Sequence, residues 1–299
     1  MNQGKKKFEY TWEQAVEKLR GDPQHQKLIY DSYLTADLQD NCQRYYASSE
    51  FAEILRLTKQ LLPDAKKVMD LPAGNGIASY AFAKAGFEVL AVEPDSSATV
   101  GRNAIEFMKE REQLCIQTVE AYGENLPCKD EEFDLVFIRQ GLHHAHNLQQ
   151  MLSEAARVTK LGGLIIGARE PVVDNYQQGL QEFLDTQPDH QLYGGENAFT
   201  HRDYVEAFKK NGISLVHDFG PFDSEINLAS GSMKDVELML LNSRPGRILN
   251  TVLPNTVVQR LGFLALRFQN KEQGRLHTFI GRKRFEARGN KSGAVRQTT

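Results

Sequence analysis

An α/β fold, a mainly parallel seven-stranded sheet with helices on both faces, is what the sequence predicts. From residue 67 onward, short apolar or β-branched runs alternate with longer stretches of helical spacing, the pattern of βαβ units. Glycines and other turn residues punctuate the joints between them. With 299 residues, 40% hydrophobic and 25% charged, the chain has the balance of a water-soluble globular protein and enough length for a substantial core. No apolar run approaches the roughly 20 residues of a spanning helix.

The first strand is expected at 67–71, followed by a helix at 76–84 that Gly86 stops. A second strand at 87–92, a helix at 97–111 and a third strand at 114–119 repeat the pattern. The compact apolar run 133–138 follows an acidic turn and reads as a buried fourth strand. A helix at 147–159, a turn at Gly162-Gly163 and a fifth strand at 164–168 come next. Thr200 and Asp203 make a capping box for a helix at about 201–210, which Asn211-Gly212 ends. Strands at 213–219 and 276–281 complete the sheet and leave 222–273 as a helical insertion. Before the first strand, helical spacing at 11–20, 24–39 and 48–62 predicts a cap over residues 1–63, with a core at 64–221, its last strand at 274–287 and a disordered tail at 288–299.

The formal charge of −3 conceals an asymmetry: residues 1–230 carry a net −12, and residues 231–299 a net +9. Such a basic end suits an anionic substrate or weak contact with an anionic membrane surface, or pairs with the acidic body; no nucleic-acid partner is expected. The N-terminus lacks the apolar stretch of a secretory signal, which predicts a cytoplasmic protein. Three cysteines without CxxC spacing predict free thiols rather than disulfides or a cysteine zinc site. The sequence leaves the oligomeric state open.

Two features carry chemistry. The first strand runs into Asp70-Leu71-Pro72-Ala73-Gly74-Asn75-Gly76 immediately before a helix. Gly74 and Gly76 lack Cβ atoms, so a ligand can approach the backbone, and the helix N-terminus directs amides at the same space. The second strand ends at Glu93-Pro94, with Glu93 placed 23 positions after Asp70. That is about the spacing at which nucleotide folds set a carboxylate against ribose hydroxyls.

Together these residues resemble the class I S-adenosylmethionine-dependent methyltransferases, in particular their small-molecule, type 11 branch, a Rossmann-like fold. The resemblance covers about residues 66–170. Asp70, Pro72, Ala73, Gly74 and Gly76 are similar to the family's loop around the methionine end of the cofactor, and Glu93 to its ribose-binding acid, with Pro94 beside it. Glu124–Pro127 and the 133–136 run resemble the adenine-side loop and fourth strand. Leu142-His143-His144, Glu154, Arg157-Val158 and Leu161-Gly162-Gly163 complete the pattern. The resemblance implies S-adenosyl-L-methionine as cofactor and a small-molecule acceptor.

Two positions depart from the family. Pro72 replaces the first glycine of the loop, which fixes φ and removes an N–H, so the turn must be built differently. Tyr122-Gly123 stands where relatives carry an adenine-binding aspartate, which shifts that task to Gly123 backbone or Glu124.

Methyl transfer needs alignment in a dry pocket and neither metal nor covalent intermediate. For a hydroxyl acceptor a base helps, and His144, just beyond the fourth strand, is the candidate; a packing role is its structural alternative. His143, His144 and His146 without a distant partner ligand do not make a metal site, and none is expected. Arg139 and Gln140, and Arg169 and Glu170, occupy equivalent strand ends facing cofactor or acceptor. Trp12, Tyr45 and Tyr46 are candidates to wall the pocket, or core aromatics. Two rival readings stand: a nicotinamide oxidoreductase, against which Gly74-x-Gly76-x-x-Ser79 lacks the third glycine, and a non-catalytic cofactor-binding or membrane-associated scaffold.

Overall fold

The computed structural model describes residues 8–228 and 232–284. The N-terminal cap comes first, as α1 (Trp12–Arg20), α2 (Gln26–Asp31), α3 (Leu38–Tyr46) and α4 (Ser49–Leu61). The single helix expected at 24–39 is two. Tyr33 takes a left-handed φ of 58° and interrupts it, and the Asp37 side chain accepts from the Asp40 N–H to start α3 afresh.

Next come β1 (Lys67–Asp70), α5 (Ile77–Lys84), β2 (Glu88–Val92), α6 (Arg102–Glu112), β3 (Ile116–Val119), β4 (Phe133–Arg139), α7 (Leu148–Val158) and β5 (Thr159–Val173). Helix α6 starts five residues later than expected because residues 95–101 form a tight loop. There Asp95 accepts Ser97 N–H through its side chain and Arg102 N–H through its carbonyl, and a Cβ at Gly101 would stand 2.5 Å from the Asp95 carbonyl oxygen. Gly162-Gly163 is a bulge inside β5 rather than a turn before it, since the pairing with β4 jumps between Phe133↔Thr159 and Leu135↔Leu164.

The chain then adds α8 (Gln178–Asp185), α9 (Pro188–Leu192), β6 (Phe199–Thr200), α10 (His201–Lys210) and β7 (Ile213–Phe219). The capping box at Thr200 and Asp203 is present. After β7 come α11 (Met233–Asn242), α12 (Arg244–Leu249), α13 (Asn255–Gln269) and β8 (Arg275–Lys283). Among the described residues the sheet therefore has eight strands rather than seven, in the order β3-β2-β1-β4-β5-β8-β7, with the two-residue β6 paired to the end of β5. Strands β1 to β5 are parallel, and β8 lies antiparallel between β5 and β7.

Two apolar layers, one on each sheet face, make the core. One joins β-strand residues such as Val68 and Phe137 to α3, α4 and α5; the other joins Met69 and Val136 to α7 and α10. The alternation along β1 and β4 sends successive side chains to opposite layers. Helices α11–α13 pack on one another more than on this core: α13 buries only Val258. Ile248, Val252 and Phe268 are 69%, 76% and 76% exposed. No helix among the described residues is long and apolar enough to cross a membrane. The tail at 288–299 lies outside the described residues.

Phe137 is fully buried at the centre of β4 and meets Phe82 edge to face at 5.2 Å. Phe137→Ala should cost about 3–5 kcal/mol of stability, mainly through the cavity it leaves. Urea unfolding checks this, and a loss below about 1 kcal/mol would place the core elsewhere.

Candidate cofactor and acceptor site

The sheet's parallel strands end together at one edge, where open α/β sheets place ligands. At the tip of β1 the Leu71–Pro72 peptide is cis. Ala73 N–H donates to the Val92 carbonyl at 2.9 Å, so the loop is stitched onto the end of β2. Gly74 has φ 54° and open space where a Cβ would stand; Gly76 has φ 82° and caps α5, where a Cβ would meet Ile105 Cγ1 at 2.7 Å. A Cβ at Gly141 would stand 2.3 Å from Pro72 Cδ, so the loop after β4 can lie against the proline ring.

Glu93 closes the turn from the other side. Its Oε2 accepts Gly74 N–H at 2.7 Å and its Oε1 accepts Asp95 N–H at 2.9 Å, with only 6% of the residue exposed. Burial outweighs these bonds and pushes its pKa up to about 7. Asp70, 1% exposed, sits behind the turn and accepts Ser79 Oγ at 2.6 Å; burial likewise pushes its pKa to about 7. Asp70 lies close enough to add to the upward push on Glu93.

The other expected residues divide. Gly123 lies against Met151, and Glu120, Ala121, Tyr122, Asn125 and Pro127 line a hollow of about 260 Å³ on the β3 side of the turn. A larger hollow of about 320 Å³ lies between α7 and α10, away from both strand tips. Glu124 is engaged elsewhere: its Oε1 accepts the His146 and Asn147 N–H groups at 2.8 and 3.3 Å, ahead of α7. Arg139 also turns from the loop. It grips Glu50 of α4 with two bonds of 2.6 and 3.1 Å, between the rings of Tyr33 and Tyr45. Arg169 approaches Glu50 at 3.6 Å and donates to the Ile226 and Leu228 carbonyls at 2.9 and 2.6 Å. Burial opposes the Glu50 charge, but the two guanidiniums outweigh it and hold its pKa low. Gln140, just past the β4 tip, takes a left-handed φ of 48°; Arg169 and Glu170, expected after the fifth strand, lie inside the longer β5, where Arg169 takes a left-handed φ of 60° at the register shift against β8.

Tyr45 is core, Tyr46 is half exposed on Tyr80, and Trp12 meets Tyr193 at 5.9 Å. Cap and loop join directly: Asn75 Nδ2 donates to the Tyr33 carbonyl at 2.8 Å, and Glu13 of α1 accepts the Ala98 and Thr99 amides at 3.0 and 3.1 Å.

Beyond β4, His143 and His144 stand with ring centroids 4.0 Å apart. His143 Nδ1 lies 2.9 Å from Glu170 Oε2, and that buried carboxylate also accepts the Gly141, Leu142 and His143 amides. His144 Nδ1 lies 3.1 Å from the Gly195 carbonyl. Its pKa is lowered, by burial first and by the neighbouring His143 second. Glu196 comes within 3.3 Å of His143 Nε2 and 3.7 Å of His144 Nε2. The segment that brings it carries Tyr193, whose pKa rises through burial and the field of Asp95, Tyr122, Glu93 and Glu196. So one stretch, 188–196, reaches from the acids at the strand tips to the histidines. Sequence reading assigned nothing to it; Gly194-Gly195, with φ of 78° and 86°, was the only local signal.

Fold and edge define an open α/β domain whose parallel strands end at the edge where such sheets place ligands. Residues 69–167 match the family model described as a methyltransferase domain. A demethylmenaquinone methyltransferase of Thermobifida fusca is 29% identical over 151 residues, 48% of this chain and 61% of that protein. An uncharacterized protein of Methanocaldococcus jannaschii is 33% identical over 112 residues, 37% of this chain and 53% of that one. The chain thus spans between half and two thirds of the length of these curated relatives. Among solved structures, geranyl diphosphate C-methyltransferase from Streptomyces coelicolor A3(2) superposes with a TM-score of 0.54 at 13% identity, covering 89% of this chain and 87% of that one. The [4+2]-cyclase SpnF superposes at 0.53 and 12% identity over 93% and 98% of the two chains. Residues 69–167 are thus similar to the methyltransferase domain family, and the chain as a whole shares the fold of these solved structures.

Glu93 offers a pH test. Its carboxyl keeps its proton to about pH 7 when folded and releases it near 4.5 when unfolded, so its ionisation erodes stability as pH rises through that interval. The difference in unfolding free energy between Glu93→Gln and the parent should shift toward the variant by on the order of 2–3 kcal/mol from pH 4.5 to 8. A difference that stays flat across that range would show that Glu93 ionises freely.

Proposed function

We propose that the chain is an enzyme that transfers the methyl group of S-adenosylmethionine to a small-molecule acceptor. The observation that carries this reading is the Glu93 carboxylate bonded to the Gly74 amide, with open space where a Gly74 Cβ would stand. Each of its oxygens takes one backbone N–H and keeps a lone pair for a ribose hydroxyl. The methionine end follows Pro72, Ala73, Gly74 and Gly76 toward the α5 N-terminus, and Pro94 supports the ribose side. Adenine takes the hollow beside Gly123 and Tyr122. Asp70 and Arg139 serve from behind, one holding Ser79 and the other Glu50.

The acceptor enters opposite, where the β4 and β5 tips meet the 188–196 segment. The sulfonium loses its charge as the methyl moves, so a closed, dry site favours transfer. His144 belongs to the acceptor side: its Nδ1 faces a carbonyl, which only accepts, and its Nε2 faces inward. SpnF, a cyclase on the same fold, marks why turnover must be measured rather than read from architecture.

Calorimetry with S-adenosylhomocysteine should show that Glu93→Ala weakens binding at least tenfold, since each charge-assisted bond lost contributes roughly 1.5–3 kcal/mol. His144→Ala should retain that affinity and lower the transfer of labelled methyl to extract components. Unchanged affinity in Glu93→Ala, or stabilisation by NAD alone, overturns the cofactor assignment; normal turnover in His144→Ala removes it from the chemistry.

A second reading concerns α11–α13, which carry five basic and two acidic side chains among exposed apolar ones. This mixture suits an anionic bilayer surface. Vesicles with anionic lipid should sediment the protein at low salt and release it at high salt, and Arg247→Glu with Arg260→Glu should abolish the effect; equal binding to neutral vesicles refutes it.

A further inference from the structure

We propose that His143, His144 and Glu196 hold a divalent transition-metal ion of the zinc or cobalt class on the acceptor side of the site, with a remaining coordination position open to an acceptor oxygen. The role rests on the methyl-transfer reading above; the binding of the ion does not.

The argument begins with the far side of each imidazole. His143 Nδ1 points at Glu170, already the acceptor of three amides, and His144 Nδ1 points at the Gly195 carbonyl. A carbonyl only accepts, so His144 Nδ1 bears the proton and its Nε2 is a lone-pair donor; His143 faces a carboxylate at each ring nitrogen, Glu170 at 2.9 Å and Glu196 at 3.3 Å, so an ion that binds at its Nε2 takes the place of the proton shared with Glu196. A carboxylate and a backbone carbonyl are the partners that metal-bound histidines use to fix tautomer and ring orientation.

Both Nε2 atoms then converge on one carboxylate. They lie 3.3 and 3.7 Å from its two oxygens, and the three ligand atoms fall within 4.8 Å of one another. Bond lengths of roughly 2.0–2.2 Å to a tetrahedral ion separate its ligands by roughly 3.3–3.6 Å. A neutral His144 otherwise aims a lone pair at an anionic oxygen, and a cation between them removes that repulsion. Two imidazoles with one carboxylate select a first-row transition ion over magnesium or calcium, which take oxygen ligands. Glu196, fifty-odd residues downstream, is the distant partner that the His-rich stretch lacks in sequence.

The place has consequences for chemistry. Gly141, which touches Pro72 of the cofactor turn, precedes His143 by two residues, so the ion stands beside the turn. An acceptor hydroxyl bound to it loses its proton to solvent more readily. The oxygen's electron pair then forms the bond to the methyl carbon as the carbon–sulfur bond breaks, and its electrons stay on sulfur. In this arrangement His144 acts as a ligand rather than as a base.

A second group, His201, Asp218 and His277, also meets the distance condition, but His201 Nε2 already sits 2.8 Å from Asp218 in a direct imidazole–carboxylate contact. It serves as the control. The full chain, stripped with chelator, is titrated with Co²⁺ and followed by calorimetry and by the visible cobalt spectrum. One equivalent should bind with imidazole nitrogen in the spectrum. His143→Ala and Glu196→Gln should weaken uptake at least tenfold, Glu170→Gln by about tenfold through loss of the supporting carboxylate, and Asp218→Asn should leave it unchanged. S-adenosylhomocysteine binding to the same metal-free samples reports folding and cofactor affinity separately. Cobalt uptake without cofactor binding keeps the ion site and sinks the methyl-transfer reading. Failure of the parent to take up cobalt, or uptake kept in Glu196→Gln and lost in Asp218→Asn, overturns the proposal.

Discussion

The bond from the Gly74 amide to the Glu93 carboxylate is the constraint around which this molecule is arranged. It fixes the tips of two neighbouring strands at one separation, and it does so with an acid that burial would rather protonate. Strand register follows the same demand: Asp70 pairs with Ala91 on one side and Phe137 on the other, so β2 ends one residue and β4 two residues beyond the β1 tip. A one-residue slip of β2 would move Glu93 off the turn and carry its apolar face out of the core.

Around that bond the N-terminal cap is tied down by polar contacts rather than by a continuous apolar layer alone. Glu13 holds the loop after β2, Asn75 reaches back to Tyr33, and Glu50 sits between two buried guanidiniums. A buried ion pair contributes little net stability against an apolar replacement, but breaking one member is costly, so such contacts specify where the cap sits. The strained backbone at Gln140 and Arg169 lies at this same seam.

Much of this was legible in the residues. The βαβ rhythm, the glycine turn, Glu93 and the Thr200 box are local patterns, and each forms where its spacing demands. What was not legible depends on contacts between distant parts of the chain. Arg139 reads like a ligand at a strand tip until Glu50, 89 positions away, captures it. Glu124 reads like an adenine acceptor, yet two amides ahead of α7 take its oxygen. The break at Tyr33 and the late start of α6 arise from loop hydrogen bonds that outweigh helical periodicity. Residues 174–198 drape over the sheet edge, where α8 packs Phe183 on Val173 and Ala198 in a small cluster of its own, a contact that no local spacing announces.

That draped segment links two sides of the edge. Tyr193 and Glu196 are neighbours on one short span, the first in the field of Glu93 and the second on the histidines. Phe8 packs so closely on Gly194 that a Cβ there would lie 2.3 Å from its ring, which anchors the span to the cap. Any displacement of this span would act on the Glu93 side and on the paired histidines together, because one short backbone stretch carries both contacts.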